Sequence, residues 1–209
     1  MGRIYAGIDE RQRAWLEQQP LFFVSTAPLD AGGHLNVSPK GASGTFRVLG
    51  PNRVAYLDLI GSGIETVAHL RENGRIVLMF CAFNGPPTVL RLHGRGQVVQ
   101  PDDPDFSGLL AHFDLRAELE STLRSIIDID VTRISDSCGF VVPRMELVDE
   151  RDQLFRWAEH QERSAGPAWK GAYERTNNST NIDGLRGLEL PDELTETERA
   201  RFASQGRVI

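Results

Sequence analysis

Residues 34–65 run HLNVSPKGASGTFRVLGPNRVAYLDLIGSGIE, and this stretch decides the predicted fold. Lys40 follows one predicted strand, the apolar run over 54–60 predicts the next strand, and the small-residue turn 61–63 opens a predicted helix. Backbone N–H groups and the positive end of a helix dipole favour an anion at such a turn. The stretch therefore predicts a site that holds an anionic group beside a β-sheet.

The composition is that of an ordinary globular protein. The chain has 209 residues, of which 40% are hydrophobic and 25% are charged, enough for one well-buried core. Its formal net charge of −6 lacks the basic excess of a general nucleic-acid binder. No apolar run approaches the roughly 20 residues that span a bilayer, and the charged N-terminus does not resemble a signal peptide. These features predict a cytoplasmic protein that binds neither nucleic acid nor membrane.

Sequence signatures of several common enzyme classes are absent. The two cysteines, Cys81 and Cys138, stand outside any CxxC or Cys/His ligand spacing, and the five histidines are scattered. GxSxG, HExxH and GxGxxG motifs do not occur. The sequence therefore predicts no metal site and no disulfide scaffold, and it identifies no catalytic residue.

Alternating or continuous apolar runs bounded by turn residues predict six strands. The strands are predicted at 21–27, 34–38, 54–60, 75–83, 88–99 and 127–131. Gly94 and Gly96 interrupt the fifth strand and predict a bulge or sharp bend there. Pro39 predicts a strand end or a position at the sheet edge. The pattern predicts a mainly β (α+β) fold built on a small antiparallel barrel.

Helices are predicted around this barrel. Ser62 and Glu65 match a capping box, which predicts a helix between the third and fourth strands. Asp103 followed by proline predicts a second helix start, and apolar spacing predicts helices over 8–19 and 145–164.

Several segments of the chain resemble the pyridoxamine-phosphate-oxidase-like split-barrel flavoproteins. These segments are LFFVSTAP, GHLNVSPKG, VAYLDLIGSGIET, RIVLMF, LRLHGRGQVV and SCGFVVP. The resemblance implies a six-stranded antiparallel split β-barrel of the FMN-binding type over residues 1–145. It implies that a C-terminal helix and irregular tail over 146–209 pack on the barrel or on the partner subunit. It also implies a homodimer with FMN in two grooves at the subunit interface. The later segment YERTNNSTNIDGLRGL resembles the end of a subgroup described only as oxidase-like.

The resemblance also implies a set of flavin-binding residues. They are Ser38, Lys40, Tyr56, Asp58, Ser62, Gly63, Thr66 and Arg91. In the family a lysine ends the second strand, where Lys40 stands here, and a Gly-Ser-Arg-Lys turn binds phosphate. The turn in this chain is Gly-Ser-Gly-Ile over 61–64, so the serine is kept and both cations are missing. Arg91 or Arg95, reaching over from the partner subunit, is the candidate to restore a charge.

Two of these residues have ordinary structural interpretations that the sequence leaves open. A serine at position 62 suits the N-cap of a helix as well as it suits a phosphate-binding role. Asp58 stands in an otherwise apolar strand, where a buried charge needs a partner; a ribityl hydroxyl and a nearby arginine are both candidates.

The resemblance implies an FMN-dependent oxidoreductase with a small-molecule substrate that the sequence does not specify. True oxidases of the family end in a strand bearing tryptophan and arginine, whereas this chain ends LTETERARFASQGRVI. That difference argues against oxidation of pyridoxamine phosphate itself. Two alternatives remain: a deazaflavin- or haem-binding relative on the same barrel, and a flavin-binding protein without catalysis.

Overall fold

Eight strands form one antiparallel sheet in the computed structural model, which describes residues 2–190. The strands are β1 (Ile4–Tyr5), β2 (Phe22–Thr26), β3 (Asn36–Lys40), β4 (Phe46–Gly50), β5 (Arg53–Leu59), β6 (Arg75–Cys81), β7 (Val89–Val99) and β8 (Leu123–Ser137). Their order across the sheet is β3-β2-β6-β7-β8-β5-β4, and β1 pairs with β8.

Helices flank this sheet. Among the described residues they are α1 (Glu10–Glu17), α2 (Glu65–Asn73), α3 (Phe106–Leu110), α4 (Ala117–Thr122), α5 (Gln153–Ala165) and α6 (Trp169–Asn177). Helix α2 connects β5 to β6 and packs against β2 and β7. No helix within residues 2–190 combines the length and the apolarity needed to cross a membrane.

The predicted mainly β class is confirmed, but the predicted count of six strands was too low. All six predicted strands exist with shifted ends, and the additional strands are β1 and β4. Strand β1 has only two residues, too few to show an alternating pattern, and β4 lies between Gly44 and Gly50 in a stretch rich in turn residues. Pro39 lies within β3, which is an edge strand of the sheet as its proline predicted.

The predicted bulge in the fifth strand is confirmed. The β7–β8 register shifts between His93 and Gly94. A Cβ atom on Gly94 would lie 2.3 Å from the backbone oxygen of Asp130, so this close approach between strands requires glycine.

Aromatic side chains fill the space inside the curved sheet. Phe22 of β2 and Phe46 of β4 come from opposite ends of the strand order, yet their ring centroids lie 5.5 Å apart. Both also pack on Phe80 of β6, with centroids 5.2 and 5.0 Å away. Such ring pairs contribute about 0.5–1.5 kcal/mol each beyond the area they bury. Packing of these three rings therefore stabilises the closed, barrel-like curvature of the sheet.

The predicted capping box at the start of α2 is wrong. The helix begins at Glu65 with Ile64 as its N-cap, and no side chain makes a capping hydrogen bond. Ser62 is exposed, outside the helix. Hydrogen bonds from distant parts of the chain hold this turn instead, as described below.

The C-terminal part of the described chain contains more helix than predicted. Helix α5 begins at Gln153 rather than at 145, and α6 was not predicted. Trp157 packs against both Trp169 and Tyr173, with ring centroids 5.4 and 5.0 Å apart. Residues 191–209 of the predicted tail lie outside the described residues, and the division into units 1–145 and 146–209 stays a prediction.

Candidate functional site

A cavity of about 520 Å³ opens beside the end of β3 and the turn that precedes α2. Residues 147–155 form its opposite wall. Its volume lies within the roughly 300–1,000 Å³ typical of small-molecule sites. Four of the predicted flavin-binding residues line it: Ser38, Lys40, Gly63 and Thr66.

A buried carboxylate lies between two cations that line this cavity. Asp58 has no exposed surface, and its Oδ1 accepts a hydrogen bond from Lys40 Nζ at 3.0 Å. Its Oδ2 accepts from Arg124 Nε at 2.9 Å and lies 2.8 Å from Arg124 Nη2. Of the two partners that the sequence left open for Asp58, an arginine is therefore present.

Arg124 reaches Asp58 because of an irregularity in strand pairing. Asp58 lies opposite Ser125 in the β5–β8 register, whereas the next residue, Leu59, lies opposite Leu123. Arg124 is thus the extra residue of a bulge, a feature that re-aims a side chain. Sequence analysis missed Arg124, and its only local signal was a charge two residues before the apolar pair at 126 and 127.

The charges around Asp58 control its ionisation. Burial raises the pKa of this carboxyl, but the charges of Arg124 and Lys40 and their hydrogen bonds outweigh burial and lower the pKa below its ordinary value. Asp58 is therefore ionised at neutral pH, and the three side chains carry a net charge of about +1.

The turn that precedes α2 is held by hydrogen bonds that its carbonyl groups accept. Arg124 Nη1 donates to the backbone oxygen of Gly63 at 3.0 Å and to that of Gly61 at 3.3 Å. Asn178 Nδ2 donates to the Gly61 oxygen at 2.9 Å. Sequence analysis missed Asn178 as well, although it lies in the segment YERTNNSTNIDGLRGL that the family resemblance marked.

A network of polar side chains connects β3 to α2 beside the cavity. Ser38 Oγ donates to Asn36 Oδ1 at 2.9 Å, and Asn36 Nδ2 donates to Thr66 Oγ1 at 2.9 Å and to Thr26 Oγ1 at 3.3 Å. Since Thr66 Oγ1 accepts this bond, its own hydroxyl proton is left to donate elsewhere. Thr26 Oγ1 in turn lies 2.9 Å from Nδ1 of the buried His69.

The remaining predicted residues lie away from the cavity walls. Tyr56 is fully buried among the aromatic rings, with Lys40 Nζ 5.8 Å from its ring centroid, and its hydroxyl has no hydrogen-bond partner among the described residues. Burial raises the pKa of Tyr56 well above its usual value. Ser62 is exposed between two glycines that line the cavity. Arg91, on β7, donates a hydrogen bond from Nη1 to Ser137 Oγ at 3.0 Å. Its role across a subunit interface stays a prediction.

Acidic side chains also face the cavity. Glu65, Asp149 and Glu150 are among its lining residues. Glu150 accepts hydrogen bonds from the backbone N–H of Ser43, at 2.9 Å, and from the Ser43 hydroxyl. The Ser43 hydroxyl, followed by its backbone N–H and the charge of Arg116, lowers the pKa of Glu150 despite partial burial. The wall over 147–155 is thus tied to the loop after β3, and the cationic end of the cavity lies at Lys40 and Arg124.

No metal-binding cluster is evident in the part of the chain that the structure describes. Within residues 2–190, no group of three or more His, Cys, Asp or Glu side chains is arranged to hold a metal ion.

Comparison with known proteins agrees with the resemblance seen in the sequence. A family model described as pyridoxamine 5'-phosphate oxidase matches residues 8–138. The pyridoxamine 5'-phosphate oxidase family protein ustO of Aspergillus flavus is 38% identical over 197 residues, which cover 88% of this chain and 77% of that protein.

The solved structures that match this chain are more distant in sequence. HupZ of Group A Streptococcus is 19% identical with a TM-score of 0.47, over 62% of this chain and 99% of that chain. A FAD-binding protein of Mesorhizobium loti is 12% identical with a TM-score of 0.46, over 65% and 95%. An FMN-binding protein of Syntrophomonas wolfei is 15% identical with a TM-score of 0.45, over 60% and 82%.

Proposed function

Because the chain belongs to the pyridoxamine 5'-phosphate oxidase family, we propose that its cavity binds FMN and that the protein is an oxidoreductase acting on a small molecule. The observation that carries the proposal is the pair of cations, Lys40 and Arg124, gathered around one buried carboxylate beside the glycine turn. Two cations sharing one anion leave a local net positive charge at this end of the cavity, which favours a phosphate there.

The described residues fit the phosphate end of FMN. The turn 61–63 has small residues through which a phosphate approaches the backbone closely, and Thr66 has a hydroxyl proton to donate. The two cations missing from the turn are offset by Arg124, which comes from β8 instead. Charge-assisted hydrogen bonds are roughly twice as strong as neutral ones, so Lys40, which is 21% exposed and donates only one of its protons to Asp58, is the main direct anchor in this proposal. Arg124 contributes its positive charge from behind the turn, because its guanidinium is bonded to Asp58 and to the turn carbonyls.

The bound flavin supplies the redox chemistry, and the protein binds, orients and shields it. Lys40 provides a fixed positive charge, since Asp58 and the Tyr56 ring hold it in place. Residues from the segment 147–155 line the cavity, and in this proposal they shield one side of the bound flavin from water. That wall carries both signs of charge, with Asp149 and Glu150 beside Arg151.

The dimer is part of the same proposal. Phe140, Val141 and Val148 are 78, 97 and 94% exposed, although they are large and apolar. Exposed apolar stretches of this kind are typical of protein interfaces. We expect a homodimer in sedimentation at micromolar concentration, and a monomer under those conditions would contradict the interfacial flavin site.

The first experiment is the visible absorption spectrum of the purified protein, followed by mass identification of the compound that denaturation releases. Released FMN is the expected result, whereas a released deazaflavin or haem would refute the assignment. A colourless protein that also fails to bind added FMN would refute it as well.

A variant then tests the location of the site. The double substitution Lys40→Ala with Ser62→Ala is expected to raise the FMN dissociation constant at least tenfold, because it removes a charge-assisted contact and a hydroxyl. Arg163→Ala is the matched control, since Arg163 is an exposed cation of α5 that pairs with Glu159. Equal affinities in both variants would place the flavin elsewhere. Reduction of bound FMN by a nicotinamide donor, with turnover to an acceptor, separates an enzyme from a flavin-binding protein without catalysis.

A further inference from the structure

Asn178 lies directly behind the turn that we assign to the phosphate. It follows α6, its side chain is fully buried, and its Nδ2 donates to the Gly61 oxygen at 2.9 Å. The contact joins residues 117 positions apart. A distant segment of the chain therefore reaches back to the candidate site.

That segment, residues 178–189, is here called the C-terminal strap. It folds back on itself through hydrogen bonds from the Leu188 amide to the Asn178 oxygen, at 2.9 Å, and from the Gly187 amide to the Ser179 oxygen, at 2.8 Å. Leu188 is buried in the main core. A Cβ atom on Gly187 would lie 2.2 Å from the Asn178 oxygen and 2.8 Å from Ile64 Cγ1, so the strap packs closely against the start of α2.

Further contacts fix the strap along α2. Arg71 Nη1 lies 2.6 Å from Glu189 Oε1, and Asn181 Nδ2 lies 3.5 Å from His69 Nε2. Asn181 Oδ1 accepts the amides of Asp183 and Leu185, which stabilises the bend of the strap. These contacts fix the position of the strap and therefore the position of Asn178 beside the turn.

The surroundings of Asn178 indicate that its amide group is needed as a donor. Its Oδ1 is buried without a hydrogen-bond partner among the described residues. A buried acceptor without a partner lowers stability, so asparagine is a poor residue for packing alone. The Nδ2 bond to the turn gives the residue a role that an apolar side chain cannot fill.

The turn needs such restraints because it contains two glycines, which lack the Cβ atom that limits backbone freedom. In a planar trans peptide the C=O and the following N–H point in opposite directions. The donors Asn178 and Arg124 fix the carbonyls of Gly61 and Gly63, so they also fix the amides of Ser62 and Ile64.

We infer that Asn178 is a positioning residue that preorganises the anion-binding turn. This inference rests on the proposed function, because it assigns the turn to the phosphate of FMN. Asn178 acts through the backbone of Gly61 and does not itself contact the ligand. The C-terminal strap thereby compensates in part for the cations that the turn lacks.

The test compares FMN with riboflavin, which has the same ring and ribityl chain but no phosphate. In the full-length protein, Asn178→Ala is expected to raise the FMN dissociation constant about three- to tenfold, the loss typical of one hydrogen bond. Riboflavin affinity is expected to stay unchanged. Asn177→Ala is the matched control, because Asn177 Nδ2 bonds within its own helix to the Tyr173 oxygen. It should leave both affinities as they are in the wild type.

A second variant covers the case in which Asn178→Ala does not fold. Gly187→Ala separates the returning half of the strap from the Asn178 backbone oxygen and from Ile64, which displaces Asn178, and it is expected to reproduce the loss that is selective for FMN. Equal losses for FMN and riboflavin, or no loss in either variant, would overturn the positioning role. If the wild-type protein binds neither flavin, the proposed function fails first and the inference falls with it. If the wild type binds FMN and the variants match it, only the inference falls.

Discussion

Replacing Asp58 with asparagine tests the charge cluster beneath the candidate site. The substitution keeps the size of the side chain but removes the negative charge that faces Arg124 and Lys40. The Arg124 side chain is only 4% exposed, so little of its charge is hydrated, whereas Lys40 is 21% exposed and is able to turn outward into water.

The expected loss of stability follows from this difference. Removing one partner of a buried ion pair typically lowers the free energy of unfolding by about 3–5 kcal/mol. We expect a value of about 3 kcal/mol, because Lys40 reaches solvent and Arg124 keeps its bonds to the turn carbonyls. For a chain of this length that corresponds to a fall in Tm of about 6–12 °C.

The effect also depends on pH. The pKa of Asp58 is lower in the folded protein than in the unfolded chain, so its stabilising contribution is present above the unfolded value of about 4. That contribution is lost as the pH falls through the folded pKa. The free energy of unfolding of the wild type should therefore exceed that of Asp58→Asn by the whole expected amount at pH 7, and this difference should become smaller below about pH 4.

Thermal unfolding followed by circular dichroism measures both effects. The matched control is Asp128→Asn, because Asp128 accepts two hydrogen bonds from Arg53 on the same pair of strands but at a more exposed site. Exposed pairs of this kind contribute about 1 kcal/mol or less. If the two variants lower Tm equally, or if the difference between wild type and Asp58→Asn does not change with pH, the buried-pair argument is refuted.

Two further substitutions test the barrel itself. Gly94→Ala should lower the free energy of unfolding by about 1–3 kcal/mol, because its Cβ would meet the Asp130 backbone oxygen. Gly108→Ala is the control, because the space around Gly108 is open. Equal Tm values for the two variants would contradict the bulge geometry. Tyr56→Phe removes a buried hydroxyl without a partner among the described residues and should raise the free energy of unfolding in chemical denaturation by about 1 kcal/mol. A loss of stability in this variant would mean that the hydroxyl is hydrogen-bonded in solution.

Local patterns predicted much of the barrel. Strand segments were recognisable because β-branched and aromatic residues alternate between turn residues, and the Gly94 bulge because glycine is otherwise unfavourable in a strand. The predicted helix over 145–164 began too early, since Leu147 and Val148, which are exposed in the structure, imitate part of a helical stripe. The strand count was too low because β1 has only two residues and β4 lies between glycines in a stretch rich in turn residues.

The candidate site was predicted only in part. Lys40 and the turn over 61–63 were found from the sequence because they lie within one short stretch, and they do lie at one cavity. The capping role of Ser62 was wrong, because Arg124 and Asn178 hold the turn from a distance. Their partners are separated from them by 61 and 117 residues, and no local pattern encodes such pairs.

The sequence by itself determined the strand-rich class, the family resemblance and the stretch that carries the glycine turn, because these depend on short-range periodicity and on motif residues that are close along the chain. Only the tertiary structure decided which cation meets Asp58 and what holds the turn. Arg124 points at Asp58 because a one-residue shift in the β5–β8 register makes it the bulged residue. Register and bulges are set by how strands from distant parts of the chain pair, and that pairing is a property of the folded molecule as a whole.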